Sequence, residues 1–218
     1  MKNKKILFIR SLMTLTGLLG IGFGVAILRL SEFGIDSFGM MNIGISDTIG
    51  ISFGTFLLLV NIVLVAFIAW KKREMVGGGT ILAVVGLGYA IDGFYFSVLG
   101  SFRHLELSLA IRSVLMLIGI LIVAVAVAFY VNANFGVSPY DALGFVVEEL
   151  TNKKIKFQWA RIGLDMICIG IGLVFGGPFG LATLFLTFLI GPLIHFFKTK
   201  LAVVIKGILN EQATFLPE

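Results

Sequence analysis

Residues 9–19 read IRSLMTLTGLL, and residues 111–121 read IRSVLMLIGIL. The offset of 102 holds without a gap as far as Phe33-Gly34 on Phe135-Gly136, with ten identities over the 26 positions 9–34. After a two-residue insertion Ile51 and Phe53 meet Ile155 and Phe157, and Asn61 meets Asp165. At an offset of 103, Gly77, Thr80, Gly88, Ile91 and Asp92 fall on Gly180, Thr183, Gly191, Ile194 and His195. Agreement of Leu with Ile is common between any two apolar segments. Shared Arg-Ser and Phe-Gly pairs and spaced Gly and Thr are not. The chain is therefore read as one membrane domain built from two repeats, about 6–101 and about 108–204, with a short cytoplasmic tail at 205–218.

The composition says where such a repeat lives. Of 218 residues 58% are hydrophobic and 13% charged, and the mean hydropathy is +1.06. Soluble domains carry about a quarter charged residues. These values exclude a water-soluble globular enzyme, a disordered chain and a nucleic-acid binder. The single cysteine, Cys168, excludes a disulfide framework and a Cys-based metal site. Six stretches are apolar over the roughly 20 residues a crossing needs: 9–30, 52–70, 79–98, 107–131, 157–176 and 180–197. Two shorter segments, 36–48 and 138–150, are not. The first stretch is too long for a signal-peptide core and lacks a cleavage site after Leu30, so it reads as a retained helix.

Lys and Arg collect on the cytoplasmic side of a membrane protein. With both termini inside, 14 of the 17 basic residues are cytoplasmic, leaving Arg29, Arg103 and Arg112 outside. This works only if neither short segment crosses. The net charge of +5 is then topology and contact with lipid headgroups, with no call for nucleic acid. Each repeat has three crossings, an odd number, so the two sit upside down relative to one another. The fold class expected is an all-α polytopic membrane protein of the plasma membrane, with six transmembrane helices, two half-helices and two inverted-topology repeats. Secondary transporters use this plan, with the site at the repeat interface. The plainer alternative is that duplication merely built a stable bundle.

The second short segment runs FGVSPYDALGFVVEELTNKKIK from Phe135 to Lys156. Ser138 has the chemistry of a helix N-cap, Pro139 of the first helical position, and Asp141 of a capping-box acid. Its far end is too polar for anything but the cytoplasmic surface, so its start points inward. In the first copy, Asp36 or Ser37 supplies the cap. Two half-helix starts converging from opposite faces make a site for a small polar or anionic solute. The alternative is that both helices lie flat at the interface, held by Phe38 and Tyr140.

The Gly-Val-Ser-Pro-aromatic-Asp start at 136–141 and the Gly-Pro-Leu-Ile end at 191–194 resemble the bacterial YitT/YczE/YyaS family of uncharacterised integral membrane proteins. The similarity extends over about 9–197. Tyr140 stands where that family is expected to carry Trp, and His195 where it is expected to carry Asp. The resemblance implies fold and location, and lends no activity.

Ionisable groups within a span are functional candidates by default. Asp165 lies one turn beyond Arg161, at a spacing that pairs the two. Asp92 has no evident local partner, and Arg29 is placed to snorkel outward. The expected pathway lining is Asp36, Ser37, Asn61, Asp92, Ser138, Tyr140, Asp141, Asp165 and His195, with Asp165 or Asp92 as proton or cation coupler. Gly77-Gly78-Gly79 lacks the Lys-Ser/Thr of a phosphate loop, and no catalytic or metal motif occurs, so neither an enzyme nor a cofactor is expected. Gly20-x-x-x-Gly24 is too common a pattern at this glycine content to support a homodimer. The expected function is a small permease, and the alternative is a non-transporting accessory protein of a membrane-associated biosynthetic or export complex.

Overall fold

The computed structural model describes residues 2–102 and 105–209, apart from the side chains of 2–6 and 204–209. Arg103, the side chains of Lys2, Lys4, Lys5 and Lys206, and tail residues 210–218 therefore lie outside what is described. Among the described residues nine α-helices follow in order: α1 Lys2–Ser31, α2 Ser37–Ile49, α3 Phe53–Lys71, α4 Gly78–Gly93, α5 Leu109–Asn132, α6 Pro139–Leu150, α7 Phe157–Val174, α8 Leu181–Phe188 and α9 Ile190–Leu209. A single π turn, Phe94–Val98, extends α4. No strand occurs among the described residues.

Among the described residues five helices are long and apolar enough to cross a membrane, and a sixth candidate is the pair α8–α9, bent by 57°. The sequence predicts an unbroken span at 180–197, so the bend is a correction. Pro192 explains it. A proline has no N–H for the carbonyl four residues back, here that of Phe188, and its ring crowds that turn. The helix accordingly stops at Phe188 and restarts at Ile190.

Short polar side chains set the helix starts. Asp36 accepts from the Gly39 amide, Ser52 from Thr55 and Ser108 from Ile111, each satisfying a donor that the first turn leaves without a partner. The two short helices, α2 and α6, begin after elbows at Gly34 (φ 92°) and Gly136 (φ 132°), where a side chain would be strained. Each elbow is also crowded. A Cβ on Gly34 would collide with Thr183 Oγ1, and one on Gly136 with Thr80 Oγ1.

The contacts at those elbows come in reciprocal pairs that follow the repeat offsets. The Ala182 amide donates to the Phe33 carbonyl at 2.8 Å, and the Gly79 amide to the Phe135 carbonyl at 2.7 Å. Thr80 Oγ1 accepts from the Gly77 amide and Thr183 Oγ1 from the Gly180 amide. At the centre α1 and α5 cross antiparallel. Gly17 lies against Tyr130, Gly20 against Ala126, Gly24 against Val123 and Gly119 against Leu28. The glycines of the Gly20-x-x-x-Gly24 pattern are thus used inside the chain. Lacking a side chain, they let two backbones approach closely, which is how helices gain contact energy where lipid is as apolar as leucine. Val25, Leu28, Met116 and Val123 from this seam form the main core with Ile35, Met40 and Ile43 around the start and middle of α2.

Candidate functional site

The cluster begins on α7. Asp165 lies near the middle of that helix and is 4% exposed. α2 lies along α7, with Met40 against Gly172 and Gly44 against Gly177 in the loop just past the end of α7, and this packing brings its first residue, Ser37, to Asp165. The Ser37 hydroxyl donates to Asp165 Oδ1. The start of α6 arrives at the same atom, where the Tyr140 hydroxyl donates at 2.7 Å. That hydroxyl also lies 3.6 Å from the Cys168 sulfur, one turn along α7. Two helix starts that correspond in the repeat therefore meet on one buried carboxylate oxygen. Their aromatic residues, Phe38 and Tyr140, correspond at the offset of 102 and stack at 4.3 Å and 12°.

A single guanidinium serves the rest of the cluster. Arg161 forms an ion pair with Asp141, and its Nε stands 3.4 Å from Asp165 Oδ2. That second approach is not aligned as a hydrogen bond, and among the described residues Nε has no hydrogen-bond partner. The Arg161 guanidinium carbon sits 4.4 Å from the centre of the Tyr140 ring, a cation–π contact. Asp36, capping α2, interacts electrostatically with both Asp165 and Arg161. Asp141 and Asp165 thus share Arg161, with the Asp36 carboxylate close enough to add to the field, and if all three are ionised the cluster among the described residues has a surplus of negative charge.

The structure brings together Asp36, Ser37, Tyr140, Asp141 and Asp165 of the expected lining, with Ser138 at the N-cap of α6. Two local roles are corrected. The Ser138 side chain makes no cap bond, and Asp141 pairs with Arg161 instead of closing a capping box. A charged partner outweighs a neutral amide for a carboxylate. The other expected residues lie elsewhere. Asn61 is buried on α3 and, among the described residues, does not join the Asp165 hydrogen bonds. His195 is exposed on α9.

Asp92, which has no local partner in the sequence, belongs to a second polar group whose cation comes from far along the chain. Arg29 Nη1 stands 3.4 Å from Asp92 Oδ1, both side chains being largely buried, and the Gly54 amide at the start of α3 donates to Asp92 Oδ2 at 2.7 Å. Arg29 therefore turns inward, under the Tyr95 ring at 4.1 Å, where it was expected to snorkel. Burying a charge is costly unless it is paired, and Asp92 supplies the pair. A separation of 63 residues hid this partner, because no local spacing rule reaches that far. The Arg161–Asp141 pair was hidden in the same way.

The fold and this buried cluster define a small polytopic helical membrane protein. The chain belongs to DUF6198, a family of unknown function, which it matches over residues 8–199. It is similar to the uncharacterized protein YyaS of Bacillus subtilis (strain 168), 26% identical over 183 residues that cover 83% of this chain and 88% of the relative. It is also similar to the uncharacterized membrane protein YczE of the same organism, 25% identical over 194 residues, 88% of this chain and 87% of the relative. No solved structure matches the chain.

Proposed function

We propose that the protein is a small permease of the cell membrane, with both termini cytoplasmic, whose halves are inverted repeats and whose solute moves along their interface. One observation carries this reading: the starts of α2 and α6, corresponding segments of the two repeats, meet on the buried carboxylate of Asp165. Half-helix starts meeting between inverted repeats are the arrangement of secondary transporter sites. The antiparallel α1–α5 seam and the reciprocal elbow contacts support the inverted relation. Because the protein's own carboxylates already face both helix starts, the surplus charge favours a proton or cation at this point over an anionic group. Asp165 is the coupler in this reading, and Asp92 is a structural ion-pair partner.

The test uses proteoliposomes carrying a trapped pH indicator, challenged with panels of small solutes. Wild type is expected to give solute-dependent proton movement. Asp165→Asn, which keeps size but abolishes titration, is expected to give none while still folding and accumulating in the membrane. If Asp165→Asn fails to accumulate and Arg161→Gln restores it, the pair serves assembly. That result favours the second reading, an accessory protein of a membrane-bound biosynthetic or export complex. The observation on its side is the closed packing of the cluster, where Ser37, Tyr140 and Asp165 are all buried.

A further inference from the structure

A groove lies beside the bend at Leu189 in the second half. Ile120 of α5 faces Phe185, Leu189, Pro192, Leu193 and Phe196 across a cavity of about 360 Å³. In the first half two points of the corresponding seam are packed: a Cβ on Gly22 of α1 would come within 3.0 Å of the Ala90 side chain on α4, and Leu18 packs with Ala83. Ala90 corresponds to Leu193 and Leu18 to Ile120, so two positions that are packed in the first half line the groove in the second. Its walls are apolar and face outward, with Leu189 54% and Phe196 55% exposed. An apolar slot left empty forfeits the dispersion contacts of its lining, and in a bilayer the molecules at hand to fill it are acyl chains.

The charge at one end specifies which lipid. Lys200 Nζ stands over the Phe196 ring at 6.0 Å, and Lys198 lies two residues earlier. Neither α8 nor α9 contains an Asp or Glu. Clustered cations without local carboxylates attract anionic headgroups. From Leu189 to Lys200 a helix rises about 16 Å, comparable to much of an acyl chain.

We propose that the groove between α5 and α8–α9 holds one acyl chain of an anionic glycerophospholipid, whose phosphate is met by Lys198 and Lys200. This site is separate from the Asp165 cluster and does not depend on transport.

Native mass spectrometry of the detergent-purified protein tests it, with dioleoyl phosphatidylglycerol and dioleoyl phosphatidylcholine as probes. Wild type is expected to retain one phosphatidylglycerol at least ten-fold more tightly than phosphatidylcholine. The double variant Lys198→Gln/Lys200→Gln is expected to lose that preference, and Leu193→Trp, which fills the slot, to weaken both lipids about ten-fold. Should Leu193→Trp not fold, the lysine variant decides alone, since its changes are polar substitutions outside the apolar lining. Equal retention of the two lipids by wild type overturns the proposal, as does unchanged selectivity in the lysine variant. Unweakened binding to a folded Leu193→Trp also overturns it. A wild-type dimer that Leu193→Trp dissociates would make a second copy the occupant.

Discussion

Asp165 accepts two hydroxyl donors on one oxygen and faces a guanidinium with the other. Hydrogen bonds to a charged group contribute about 1.5–3 kcal/mol each, and a buried carboxylate that loses a donor also keeps its desolvation penalty. Ser37→Ala and Tyr140→Phe should therefore each lower stability by about 1–3 kcal/mol, read as a lower melting temperature in detergent. Tyr140→Phe keeps the stack on Phe38, so a loss there isolates the hydroxyl. The Arg29–Asp92 pair calls for a double-mutant cycle, because removing one partner strands the other. Arg29→Gln and Asp92→Asn are each expected to destabilise, and the double variant by less than their sum, with a coupling of about 0.5–3 kcal/mol. Additive losses would show that the pair does not interact. At this scale the start of α2 was legible as cap chemistry, the start of α6 from Pro139 at its first position, and Asp165 as a carboxylate far from a helix end. That they are one site was not legible, because Ser37 and Asp165 are 128 residues apart.

Among the elements, glycine positions divide into two physical kinds. A Cβ on Gly17 would stand 2.9 Å from the Tyr130 amide nitrogen, a backbone atom that cannot swing aside. Overpacking of this sort costs about 1–3 kcal/mol, so Gly17→Ala should lower the melting temperature. Gly86 on α4 has open space around it, and Gly86→Ala should be neutral or slightly stabilising, since alanine is the better helix former. An equal loss at both positions would contradict the close α1–α5 seam. The α8–α9 bend predicts a distance. Replacing Pro192 with alanine restores the missing N–H and should straighten the pair. Spin labels at the exposed positions 181 and 203 would then separate by about 3–4 Å more, from a 1.5 Å rise per residue. An unchanged distance would mean that packing on α5, and not the proline, holds the bend. Pro192 is visible in the sequence, yet prolines are tolerated in membrane helices, so its presence did not fix a break.

For the whole molecule the proposal of both termini inside makes a direct prediction. In a Cys168→Ser background, single cysteines at positions 72 and 153 should resist a membrane-impermeant thiol reagent in intact cells and react after lysis. Labelling from outside at either position would overturn the orientation and the inverted repeat together. Hydrophobic run length, basic loops and the duplicated Arg-Ser and Phe-Gly pairs were enough to read a polytopic helical membrane protein with two short helices, because these depend on local composition and on how many residues a bilayer needs. The meeting of α2 and α6 on Asp165, the Arg29–Asp92 pair and the groove beside Pro192 depend on how helices far apart in the chain cross and bend. Close approach at Gly17, Gly20, Gly24 and Gly119 sets one such crossing, and three-dimensional packing against a partner helix leaves no periodic mark in a segment that is apolar on every face.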